Sequence, residues 1–172
     1  AGTTPGTHFI GTTDNQPFEV KVNNARGLRL EPTTETPNVI GGSSANRAGP
    51  GIRGATIAGG GRTDAASTHH VLAGYGTISG GLGNTVAGEG SIVGGGSRNL
   101  IKSNAFWATI GGGGGNVIET NSWGSTIAGG VGNWIYTNNL AATIGGGDDS
   151  SIGPNSANST VAGGYDNAIE RI

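Results

Sequence analysis

A five-residue pattern recurs along most of this chain: Thr or Ser, then Ile or Val, then any residue, then Gly-Gly. It reads Thr56-Ile57-Ala58-Gly59-Gly60, Thr77-Ile78-Ser79-Gly80-Gly81 and Ser91-Ile92-Val93-Gly94-Gly95, and returns at Thr109-Ile110, Thr126-Ile127, Thr143-Ile144 and Thr160-Val161. Asn38-Val39-Ile40-Gly41-Gly42 reads as a variant opening copy. Successive starts from Thr56 lie 21, 14, 18, 17, 17 and 17 residues apart. A period in this range predicts a solenoid, because no single repeat closes its own core and stability comes from stacking.

Each copy has a second half. Seven or eight residues after its start comes a polar residue, then a variable one, then a β-branched apolar one. The examples are Asn84-Thr85-Val86, Asn99-Leu100-Ile101, Asn116-Val117-Ile118, Asn133-Trp134-Ile135, Ser150-Ser151-Ile152 and Asn167-Ala168-Ile169. Two short β-prone pieces per repeat, joined by glycine-rich corners, predict coils stacked at about 4.8 Å. The Ile and Val side chains (Ile57, Ile78, Ile92, Ile110, Ile127, Ile144 and Val161) then form an interior ladder. Connectors such as Tyr136-Thr137-Asn138-Asn139 are rich in turn formers and read as surface loops. The expected fold is therefore an all-β parallel β-roll or β-solenoid over residues 38–172.

Residues 1–37 stand outside the repeat and form a separate hairpin segment in this reading. Phe18-Glu19-Val20-Lys21-Val22 alternates apolar and polar, Asn23 to Gly27 reads as a turn, and Leu28-Arg29-Leu30 as the returning strand. Such a hairpin is expected to cap the first coil and block an edge that would otherwise aggregate. The start at Ala1-Gly2-Thr3, without Met, gives the expectation of a processed or excised piece.

Composition narrows the partners. Nine Lys+Arg against eleven Asp+Glu, with no basic run, leaves no footprint for nucleic acid, and no apolar stretch is long enough to insert in a membrane as a helix. The absence of Cys removes thiol chemistry and disulfides. With only two or three large apolar residues per coil, the core looks thin. Packing three solenoids about an axis is the expected remedy, so a homotrimer is anticipated, with an end-to-end filament as the other form of self-association. The polar, charge-poor texture points to an extracellular or cell-surface location, or a virion fibre.

The Thr-Ile-x-Gly-Gly…Asn-x-Ile pattern resembles the left-handed parallel β-roll of trimeric autotransporter adhesin heads. The spacing from Thr77 to Ser91 has that family's repeat length. The Phe18–Pro32 segment followed by the Gly-Gly array is also similar to large bacterial surface and phage-fibre proteins. These resemblances imply a trimeric spacer or binding head. The chain departs from the adhesin heads in its 17-residue connectors and in using Ile-x-Gly-Gly for their Ala-Ile-Gly core.

Trp107, Trp123, Trp134 and Tyr136 are candidate glycan contacts, since aromatic rings stack on sugars; packing between coils is the competing use. Phe106, Trp123, Leu140 and Ala157, each three residues before a Thr, are expected to share one column. Gly-Gly-x-Gly-Asn stretches, as at Gly80–Asn84 and Gly129–Asn133, are similar to calcium-binding rolls but lack the repeating Asp. His69-His70 is expected in an exposed connector, and neither metal nor cofactor is anticipated. There is no Gly-x-Ser-x-Gly elbow, and the expectation is a non-catalytic module. A polysaccharide-active enzyme using paired carboxylates from Glu89, Glu119, Asp148, Asp149, Asp166 and Glu170 is the alternative.

Overall fold

The computed structural model describes residues 6, 7 and 9–170, so the expectation about the start at Ala1 lies outside the described residues. Every regular element among them is a β-strand. In Thr126-Ile127 both residues are β-branched and favour extended backbone, with successive side chains on opposite faces. The Thr is half-exposed and the Ile buried. The pair stacks in parallel on the next coil, Thr126 against Thr143 and Ile127 against Ile144. Repetition of this step builds the first sheet through Thr56–Ile57, Thr77–Ile78, Ile92–Val93 and on to Thr160–Val161. The second half of each coil builds the second sheet, from Arg47–Ala48 through His70–Val71 to Ala168–Ile169. The result is a parallel β-solenoid of about eight coils.

The core lies between the two sheets. Ile57, Ile78, Val93, Ile110, Ile127 and Ile144 reach it from the first sheet, and Val71, Val86, Ile101, Ile118, Ile135 and Ile152 from the second, all at 0% exposure. The single chain therefore buries these interior ladders by itself, as the repeat predicts.

One motif placement needs correction. In the copy at 91–95, Ile92 was expected inside, yet it pairs with Thr77 on the outer face while Val93 pairs with Ile78 and is buried. The cause is the glycine corner. Gly96, not Gly95, takes the site that Gly81, Gly113 and Gly130 occupy in their coils, with φ of +81°. A β-carbon at Gly113 would collide with the Gly130 carbonyl oxygen, so this column admits glycine alone. The glycines Gly94-Gly95-Gly96 fit the pattern in two frames: Ser91 favours the first, while the corner and Asn99, seven residues after Ile92 as in the other copies, mark the second. Corrected starts from Thr56 lie 21, 15, 17, 17, 17 and 17 residues apart, so the 14-residue spacing disappears.

The N-terminal hairpin consists of β1 (Phe18–Val22) and β2 (Ala25–Glu31), antiparallel, with a register shift between Val20 and Lys21. Its turn is tighter than the expected Asn23 to Gly27: Asn23 and Asn24 alone make it, both at positive φ. That conformation matches the twist of a two-residue hairpin, and Asn tolerates it. β2 pairs antiparallel with β3 (Asn38–Gly41), which itself pairs in parallel with Thr56–Ile57. Arg26 ties the hairpin to the first coil by donating to the carbonyls of Ser44 at 2.7 Å and Asn46 at 2.9 Å. β4 (Arg47–Ala48) opens the second sheet.

Candidate functional site

Three features of the coil bear on function: an internal asparagine ladder, and two patches of partly exposed aromatic side chains. The ladder residues Asn84, Asn99, Asn116 and Asn133 are fully buried at the corner between the sheets. Asn116 shows the pattern. Its Oδ1 accepts from the backbone N–H of Asn133 at 3.0 Å, and its Nδ2 donates to the carbonyls of Gly112 at 3.0 Å and Gly130 at 2.9 Å. Each side chain thus satisfies its own coil and the next, as a buried amide must. Their oxygens face inward and are engaged, which removes them as calcium ligands. Asn167 occupies the same position in the last described coil and is exposed.

The sequence reading missed the first rungs. Asn46 takes the ladder position in the first coil, its Nδ2 donating to Gly41 and Gly60. His69 takes it in the second and is fully buried, contrary to the expected exposed connector. His70 stands on the adjoining strand, half-buried, paired in register with Arg47. Burial pushes both imidazoles below the usual histidine range, and Arg47 adds to the effect at His70. The signal that could have placed His69 is the polar-x-β-branched order of His69-His70-Val71, which matches the second half of the repeat; its thirteen-residue distance from Thr56, in place of seven or eight, hid it.

The four candidate glycan contacts fall into two groups. Trp107 (64% exposed) and Trp123 (44%) sit on the corner leading into the first sheet, beside Phe106. Their rings meet edge to face, with centroids 5.4 Å apart and planes at 86°, so they form an angled ridge rather than a flat platform. Trp123 lies one coil after Phe106 and Leu140 one coil after Trp123; backbone bonds from Gly124 to Phe106 and from Ala141 to Trp123 confirm the expected column. Trp107 also lies over Gly90 of the preceding coil, and Tyr75 over Gly54, where any side chain would collide with the ring. These aromatics therefore pack between coils and still present an exposed face. On the second sheet, Trp134 and Tyr136 stack at 5.7 Å with planes 26° apart.

The carboxylates are dispersed in use. Glu119 is bound by Lys102 at 2.7 Å, and Glu35 by Arg53 at 3.1 Å and the Tyr75 hydroxyl at 2.8 Å. Asp148, Asp149 and Asp166 lie exposed on the opposite glycine corner, the latter two at positive φ. Among the described residues, no group of three or more His, Cys, Asp or Glu is arranged to hold a metal ion. No protein-family model, curated protein or solved structure matches the chain.

Proposed function

We propose that this solenoid is an extracellular, non-catalytic structural or adhesive module that self-associates as a homotrimer and presents a binding surface along its length. The observation that carries the reading is the ridge of exposed Trp107, Trp123 and Leu140, with half-buried Phe106 beside them, on a chain whose core is already closed. Apolar side chains that the fold does not need to bury, gathered in one place, mark an interaction surface. A run of about eight coils at roughly 4.8 Å gives a rod near 40 Å long, suited to a stalk, head or fibre segment. The Arg26 contacts and the β2–β3 pairing support a capping role for the hairpin. That role in turn favours a closed trimer over a head-to-tail filament.

Light scattering on the intact chain and on W107A/W123A tests it. The expected result is a mass near three times 16.9 kDa for the wild type and a shift toward monomer for the variant. A wild-type monomer at tens of micromolar would reject self-association through this ridge. The stacked Trp134–Tyr136 pair favours a second reading, in which the second sheet binds a glycan. Trp134→Ala would then abolish retention on a polysaccharide matrix while leaving the mass unchanged. Release of reducing sugar from such a matrix would instead support the enzyme alternative.

A further inference from the structure

His69 takes an asparagine's place in the ladder, and its ring reproduces the amide's two bonds to the next coil. Where Asn84 Oδ1 accepts the backbone N–H of Asn99 at 2.9 Å, His69 Nδ1 accepts the backbone N–H of Asn84 at 3.1 Å. Where Asn84 Nδ2 donates to the Gly96 carbonyl at 3.1 Å, His69 Nε2 lies 3.0 Å from the Gly81 carbonyl. The His69 backbone N–H is held in turn by Asn46 Oδ1 at 3.0 Å. A backbone N–H only donates, so Nδ1 carries no proton in this arrangement and Nε2 carries the one that reaches Gly81. The ring is neutral and in a single tautomer.

We propose that His69 is an acid-sensitive lock between the second and third coils: protonation at Nδ1 breaks the rung and loosens the N-terminal end of the rod. An imidazolium donates from both nitrogens, so it would set an N–H against the Asn84 N–H and leave both without an acceptor. No asparagine rung has this liability. The surroundings offer the charged ring no relief. Arg47 stands on the preceding coil, His70 follows on the adjoining strand, and the connector's Arg62 and Asp64 pair with each other in solvent at 3.7 Å. Burial favours the neutral form, and the Gly81 carbonyl works the other way. Because the folded value lies below the ordinary 6.5, the folded state binds fewer protons than the unfolded one. Stability from this site is complete above about pH 6.5 and is lost as pH falls below it.

The test is hydrogen exchange at the Asn84 amide of the intact chain from pH 7.5 to 5, corrected for the intrinsic rate, in wild type, H69N and H70T. In wild type the opening equilibrium at Asn84 rises on the order of tenfold per pH unit below about 6.5. His69→Asn restores an amide rung and flattens the dependence, whereas His70→Thr, which copies Thr85 on the next coil, leaves it in place. A slope in H69N as steep as in wild type overturns the lock and assigns the effect elsewhere. Imidazole 15N shifts of wild type give an independent check needing no variant. A neutral Nε2–H tautomer at pH 7 is expected, and an Nδ1–H tautomer or an imidazolium overturns the proposal.

Discussion

The two ends of the solenoid are built from the same coil with different regularity. From Ile92 onward every first-sheet step is 17 residues, and the ladder rungs Asn99, Asn116 and Asn133 repeat with matching hydrogen bonds. Before Ile92 the steps vary, the second sheet jumps 23 residues from Arg47 to His70, and the rungs are Asn46, His69 and Asn84. Both ends close the same core. The difference teaches that the corner from the first sheet to the second tolerates an insertion, as between Gly61 and His69, but requires fixed chemistry at its two ends: a positive-φ glycine at its start and an inward hydrogen-bonding side chain at its close.

The largest expected effect breaks a rung in the regular half. Asn116→Asp puts a carboxylate against the Gly112 and Gly130 carbonyls, removes the donors that hold them, and leaves the charge unpaired in a buried site. Urea unfolding at neutral pH should show a loss of about 3–5 kcal/mol. The same change at exposed Asn167 should stay within about 0.5 kcal/mol. Equal effects at the two positions would remove the ladder from the account.

The glycine corner comes next. Gly113→Ala forces a side chain at φ of +85° into the neighbouring carbonyl, and thermal or urea unfolding should register a loss of more than about 1 kcal/mol. Gly112, two residues before Gly114, has open space where a β-carbon would go, so Gly112→Ala should cost less. If the two substitutions behave alike, the corner is not what fixes the frame at Gly94-Gly95-Gly96.

The smallest effect runs in the opposite direction. Ser150 fills a ladder position, taking the Asn133 Oδ1 bond through its backbone N–H at 3.0 Å. Its hydroxyl accepts from the Asn167 N–H at 3.3 Å but lacks the amide donors that asparagine places on two glycine carbonyls. Ser150→Asn should therefore stabilise the chain by about 0.5–1.5 kcal/mol, read as a higher urea midpoint with unchanged slope.

Much of this was legible in the sequence. Alternating Thr-Ile pairs at a steady period dictate an outward and an inward residue on a stacked strand, and Asn-x-Ile at a fixed offset marks the second strand of the coil. Legibility failed where residue type and role separate. Ser91 at the Thr/Ser position and three successive glycines masked the frame at Ile92, although Asn99 stands seven residues after Ile92, as the rung does in the other copies. Arg47–Ala48 and His70–Val71 carry no Asn-x-Ile signature, yet they stack because coils on both sides supply the pairing. The aromatic column was visible as a period, but its angled ring geometry was not, because it depends on the positive φ of Trp107 and the room above Gly90.

The most direct test of a ladder-built rod with a weaker N-terminal half is residue-resolved hydrogen exchange along the chain at neutral pH. The account predicts the slowest exchange at the amides of Asn116, Asn133 and Ile118, and faster exchange at Arg47, His70 and Asn84. Uniform protection, or a maximum in the first three coils, would contradict it.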